Sequence, residues 1–199
     1  MSHKSVFIAK IAAELAEIRR ELRRLAAETS STKDGDLKLP KKFTPASLKK
    51  FLKDPSAAKL LKGADLSGLK ALSLKAKNMD FQGTDLSTSS LSDGDFSGTD
   101  FRGAKLRYTA LGRSKLKGAD FSGTTLDGTY LEQCDFTGAK LVGTKFKGTS
   151  LASAIMSGAN LQGADFTMVS AGDLKTVDFS GAKNLNKAKF PEGFTPSDK

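Results

Sequence analysis

The chain has 199 residues, a formal net charge of +10, 38% apolar residues, 19 glycines, one cysteine, one histidine and no tryptophan. That is enough for one sizeable domain with an appendage. The lone Cys134 excludes an internal disulfide framework and fits a reducing compartment. No run of about 20 apolar residues offers a transmembrane span, so the expectation is a cytoplasmic protein or part of an intracellularly assembled particle.

The charge is uneven. Residues 1–63 carry 15 Lys/Arg against 7 Asp/Glu, a net of +8, whereas 64–199 carry 17 against 15, a net of +2. The basic excess therefore belongs to the N-terminal third. The apolar patch VFIAKIAA near the N-terminus is interrupted by Lys10 and followed by Glu14. It reads as neither a signal nor a transit peptide.

Residues 1–30 predict an amphipathic helix. Ile8, Ile11, Leu15, Ile18, Leu22 and Leu25 recur at spacings of 3, 4, 3, 4 and 3, the a and d positions of a heptad. Glu14, Glu21 and Glu28 take g positions and Arg19 an e position. A parallel partner would set Glu14 against Arg19, which predicts a homo-oligomer through this helix. The same face could instead pack along its own chain or dock on a different protein. Residues 31–43 read as a linker. Residues 44–63 read as a helical cap: Thr44 suits an N-cap before Pro45, Leu48, Phe51 and Leu52 give an apolar face, and Gly63 ends the segment.

Residues 64–190 repeat with a period of five, which is neither the helical 3.6 nor the strand 2. From Leu66 to Phe166 the frame holds for 21 units, whose central residue is Leu in eleven, Phe in seven, Met156 in one and Ala71 and Ala76 in the remaining two. From Thr84 to Ala164 the residue two places before the centre is always small, and glycine is commonest two places after it. Small-polar-large-polar puts the small and large residues on one face of a very short strand. Glycine then permits a turn. Four quarter-turns close a square coil of 20 residues, and successive coils stack about 4.8 Å apart. Folding the sequence at 20 stacks Leu91, Leu111, Leu131 and Leu151 on one side and Phe81, Phe101 and Phe121 on another. The frame breaks after Phe166, which predicts a bulge or short loop near 168–173 and a distorted last coil. Residues 191–199 read as a tail, with Phe194 placed to fold back as a lid.

Units such as ADLSG (64–68), TDFRG (99–103), ADFSG (119–123) and ANLQG (159–163) resemble the A(D/N)Lxx consensus of pentapeptide-repeat proteins. The resemblance covers about 61–190. It implies an all-β solenoid, a right-handed quadrilateral β-helix of about six coils, preceded here by the helical segment and cap. Some proteins of that family mimic DNA and protect gyrase from its inhibitors, a role that wants a strongly anionic rod.

Little in the sequence favours catalysis. His3 stands near the terminus, and Cys134 falls in an inward small slot. No metal-ligand spacing, phosphate loop or nucleophile elbow occurs, so no catalytic, metal or cofactor residue is assigned. The acidic stretch SDGDFSGTD (92–100) lacks the terminal Glu of a calcium loop. Outward residues form columns: Asp80, Asp100 and Asp120 on one side, Lys75, Asp95, Lys115 and Asp135 alternating on another. Lys105, Arg107, Lys145 and Lys147 make a basic area broken by Asp127, and Arg19, Arg20, Arg23 and Arg24 make a second. These arginines alternate with Glu17 and Glu21, and no aromatic stacking platform accompanies them, which argues against nucleic acid. The expectation is a non-enzymatic structural or protein-interaction scaffold, a rigid rod oligomerised or anchored through its N-terminal helix. The alternative is a DNA mimic acting on a type II topoisomerase.

Overall fold

The computed structural model describes residues 43–52 and 61–197. The amphipathic helix expected over 1–30 lies outside these residues, together with most of the linker that follows it.

One local conformation recurs from Asp65 onward: a bridging residue, a buried centre, a two-residue turn and a small buried residue. The turn closes when the small residue's N–H donates to the centre's carbonyl, as Thr84 does to Phe81 (3.1 Å) and Ala104 to Phe101 (3.0 Å). The second turn residue has positive φ in every unit from Gly68 to Gly163, the signature of a type II turn. Glycine takes most of these positions. Ser73, Asn78, Thr88, Asp93, Tyr108, Arg113, Gln133 and Ser153 take the rest, with φ of 55–63°.

Each turn redirects the chain, and four turns bring it back above its start. Rungs 20 residues apart then pair as isolated parallel bridges. The first side carries Asp65, Asp85, Lys105, Thr125, Lys145 and Asp165; the second Lys70, Ser90, Ala110, Tyr130 and Ser150. The third carries Lys75, Asp95, Lys115, Asp135 and Ile155; the fourth Asp80, Asp100, Asp120, Lys140 and Asn160. Among the described residues no strand is longer than a single bridging residue. The turn takes over before a second ladder residue can pair.

Every centre from Leu66 to Phe166 is 2% exposed or less. Like volumes stack as the period predicts: the rings of Phe101 and Phe121 lie 4.7 Å apart and nearly parallel, and those of Phe146 and Phe166 4.4 Å apart. The small slots also carry hydrogen bonds. Thr84, Thr99, Thr109, Thr124, Thr129, Thr144 and Thr149 are buried, and each hydroxyl donates at 2.7–3.0 Å to a carbonyl below it, that of Leu61 for Thr84 and that of a centre in the preceding coil for the other six. Gly94 is the one glycine in such a slot of the regular coils, because a Cβ there would overlap the ring of Phe96. In the first coil the volumes are exchanged. Ala71 and Ala76 are the centres, and Leu69 and Leu74 fill the small slots, all buried.

Aspartate or asparagine at a rung holds the following turn. Its Oδ1 accepts the N–H two residues on, as Asp65 does from Ser67 (2.9 Å), Asp85 from Ser87 (3.0 Å) and Asp120 from Ser122 (3.0 Å). This is the Asx turn, and it explains the acidic residue of the repeat without recourse to ligand binding.

Helix α1, Pro45–Phe51, stands before the first coil. Thr44 and Ser47 exchange hydrogen bonds at its start: Ser47 N–H donates to Thr44 Oγ1 (3.1 Å) and Thr44 N–H to Ser47 Oγ (2.9 Å). Phe43, Leu48, Leu52 and Leu61 join the core.

At the other end the frame breaks where the period fails. Helix α2, Ala171–Leu174, lengthens the circuit so that Ile155 bridges Asp178 and Asn160 bridges Lys183. Its Leu174 is buried as a centre. A short 3-10 turn, Leu185–Lys187, adds one more residue, and Asp165 bridges Lys189. Phe190 stacks on Phe166 at 5.2 Å, and Phe194 lies 5.5 Å from Phe190.

Candidate functional site

With the axis filled by side chains, the accessible chemistry lies on the four sides. Charge on the third and fourth sides is largely paired. Lys77 meets Asp95 (3.1 Å), Lys117 meets Asp135 (3.2 Å), and Arg102 holds Asp100 (2.6 Å) and reaches Asp120 (3.9 Å). On the third side the lysine after the centre makes the pair, whereas the sequence columns pointed to the rung lysines Lys75 and Lys115. The reason is local: a rung aspartate curls forward onto its own turn and carries its second oxygen towards the flank. Arg102 holds the Asp100 carboxyl at about 2, against the opposing effect of partial burial.

Cys134 sits in a small slot and donates to the Leu111 carbonyl (3.0 Å), as Ser114 does to Leu91. Burial pushes its thiol up to about 12. It behaves as an inward hydroxyl substitute and not as a nucleophile.

The first side is different. Lys105, Arg107, Lys145 and Lys147 lie on it as the 20-residue folding placed them, two coils separating each pair. Lys105 contacts Asp85 (3.6 Å). Burial opposes the ionised form of Asp85, but its Ser87 hydrogen bonds and Lys105 hold the carboxyl below its ordinary value. Arg107 lies 4.9 Å from the ring centre of Tyr108, a cation–π contact. The other candidate residues, Ile8 to Leu25 of the helical face and Arg19, Arg20, Arg23 and Arg24, lie outside the described residues.

This side also contains a break in the coil-to-coil ladder of the regular coils. Of the rungs 20 residues apart from Asp65 to Asp165, every pair bridges except Lys105 and Thr125. Among the described residues the N–H groups of Gly103, Leu106 and Thr125 have no coil-to-coil acceptor, whereas their equivalents Gly123, Leu126 and Lys145 are bonded at 2.8–2.9 Å. A hollow of about 380 Å³ opens there, lined by Lys105, Arg107, Thr125 and Asp127 among others. Asp127 Oδ1 is buried with no hydrogen-bond partner. The sequence identified the basic residues and Asp127. Nothing in their spacing marked the opened ladder.

The family of pentapeptide repeats matches in eight copies, over residues 76–107, 114–151 and 130–167. The chain belongs to the pentapeptide-repeat family, whose members fold as right-handed quadrilateral β-helices. Similar solved structures include HetL, a pentapeptide-repeat protein involved in heterocyst differentiation regulation in the cyanobacterium Nostoc. It is 26% identical, with a TM-score of 0.43, over 67% of this chain and 64% of HetL. This chain therefore spans less than two thirds of HetL's length. A pentapeptide-repeat protein of the Arabidopsis thaliana thylakoid lumen is 25% identical, with a TM-score of 0.39, over 53% of this chain and 74% of that one. QnrB1, a plasmid-mediated fluoroquinolone resistance protein, is 20% identical, with a TM-score of 0.33, over 69% of this chain and 76% of its own. No curated protein sequence matches. Among the described residues no helix is long and apolar enough to cross a membrane.

Proposed function

We propose that the protein is a non-enzymatic interaction scaffold: a rigid rod that displays its outer sides to protein partners and is multimerised or anchored through residues 1–30. The observation that carries this reading is the filled axis. Side chains from all four sides meet inside it, so recognition falls to the surface rungs. The heptad spacing of Ile8, Ile11, Leu15, Ile18, Leu22 and Leu25 supports the helix as the device that gathers copies. Gathering would raise the avidity of weak side contacts without new chemistry.

Light-scattering mass tests this on the full chain and on a chain lacking residues 1–30. An oligomer seen only with the full chain supports the reading. Monomers in both cases remove the helix as an assembly device. Equal oligomers in both cases transfer the contact to the β-helix.

A second reading, a DNA mimic directed at a type II topoisomerase, draws on the acidic column Asp80, Asp100 and Asp120. Arg102 interrupts that column, and Lys140 follows it on the same side. A gyrase-protection assay would test it.

A further inference from the structure

We propose that the open rung between Lys105 and Thr125 binds a small zwitterion of the size and charge of a free α-amino acid. Its carboxylate would lie toward Lys105 and Arg107, and its ammonium toward Asp127. This inference does not depend on the N-terminal helix.

Three observations converge on one place. First, the ladder that closes every other rung pair of the regular coils is open here. In a closed rung the N–H groups of Gly103, Leu106 and Thr125 would point at the facing coil, and the carbonyls of Ala104, Ser122 and Thr125 would point back. In the open rung both kinds of group border the gap. Unpaired peptide groups are costly unless something polar meets them. Second, the hollow is about 380 Å³, within the range of small-molecule sites. Gly103, Ala104 and Gly123 on its lining leave the space unfilled. Third, charge of both signs borders it. Lys105 and Arg107 are exposed on the lower coil, and Asp127, with its orphaned buried oxygen, belongs to the upper one.

The charge pattern selects the ligand class. A simple anion would meet Lys105, which also reaches Asp85, and Arg107, which lies over Tyr108, but would face the peptide carbonyls and the Asp127 carboxylate on the lining. A simple cation would satisfy Asp127 but would face Lys105 and Arg107. A molecule carrying both charges a few bonds apart meets both requirements, and its ammonium supplies the donors that the carbonyls and Asp127 lack.

The test is a titration of the full chain followed by the backbone amide resonances of Gly103, Leu106 and Thr125. Glycine, L-glutamate and L-lysine are the probes, with sodium acetate and methylammonium chloride as single-charge controls. The expected result is a saturable shift of these amides with at least one amino acid at millimolar concentration, and weaker shifts with either control. Asp127→Asn and the pair Lys105→Met/Arg107→Met should each weaken that binding at least about tenfold, with unchanged resonances on the opposite side of the rod. No saturable shift with any of the three amino acids up to tens of millimolar would overturn the proposal. So would acetate binding as tightly as the amino acids with Asp127→Asn indifferent, because that is an anion contact alone.

Discussion

The carboxylate of Asp173 accepts the backbone N–H of Leu151 at 2.9 Å. In the regular coils this bond goes to a rung carbonyl, as from Leu131 to Ser150 (2.9 Å). Helix α2 turns the backbone away at this level, and a side chain replaces the lost acceptor. Thr176 does the same for the Ser153 N–H (2.8 Å).

Asp173→Ala should therefore leave a part-buried N–H unpaired and cost about 1–3 kcal/mol. Asp173→Asn keeps an acceptor oxygen and should cost less than half of that. Urea unfolding of the two variants against the parent chain checks the ordering.

Thr129→Val removes the hydroxyl that donates to the Leu106 carbonyl at 2.8 Å and keeps the shape. That carbonyl still accepts the Thr109 N–H at 3.1 Å. It is not orphaned, so the expected loss is about 1 kcal/mol, the value of one net hydrogen bond. A loss above about 3 kcal/mol by chemical denaturation would mean that the hydroxyl column does more than add single bonds.

Thr88 holds φ of 59° with a branched side chain, where an L-residue is strained by about 1–2 kcal/mol. Thr88→Gly releases that strain and loses about 0.5–1 kcal/mol to the entropy of the unfolded chain. The net expectation is a gain of about 0.5–1 kcal/mol, read as a higher denaturation midpoint. Gly98→Ala, at φ 68°, should move the midpoint the other way.

Acid should loosen the rod through its rung aspartates. Asp85, Asp95, Asp135, Asp165 and Asp178 titrate below their ordinary value, and Asp100 at about 2. A carboxyl depressed in the folded state contributes stability that is fully present above its unfolded pKa of about 3.9. That stability is lost as pH falls through the folded value. Stability should therefore hold from neutral pH to about 5 and decline from about 4 towards 2. Asn160 already caps its turn without a charge, accepting the Gln162 N–H at 3.3 Å. Asp100→Asn should accordingly flatten part of the decline, as measured by denaturant midpoints across this pH range.

The rod's architecture was legible because one requirement repeats. A large residue must enter the core every five positions, so Leu91 below Leu111 and Phe101 below Phe121 could be paired by counting. The break after Phe166 was legible for the same reason, since Leu174 comes eight residues later. Helix α2 was not, because four residues carry no period. Threonine's second role was hidden by its first: Thr84 fits a small slot whether or not its hydroxyl donates. Positive φ at Thr88 and Tyr108 follows from their place in the turn, and neither side chain advertises it. On the first side, counting by 20 put Lys105, Arg107, Asp127, Lys145 and Lys147 together. The open rung depends on how two particular coils separate, which no spacing encodes.

The rod is a coil that closes every 20 residues, and its four sides carry the surface chemistry. Deleting residues 130–149 removes one whole circuit and joins Thr129 to Ser150, leaving every column in register. Deleting only 130–132 shifts every later centre out of its column. The measurement is cooperative unfolding followed by circular dichroism on both deletions and the parent. The twenty-residue deletion should unfold cooperatively, with stability reduced in proportion to the lost coil, while the three-residue deletion should lose the transition. A three-residue deletion that unfolds as cooperatively as the parent, or a twenty-residue deletion that does not fold, would contradict this closure of the coil.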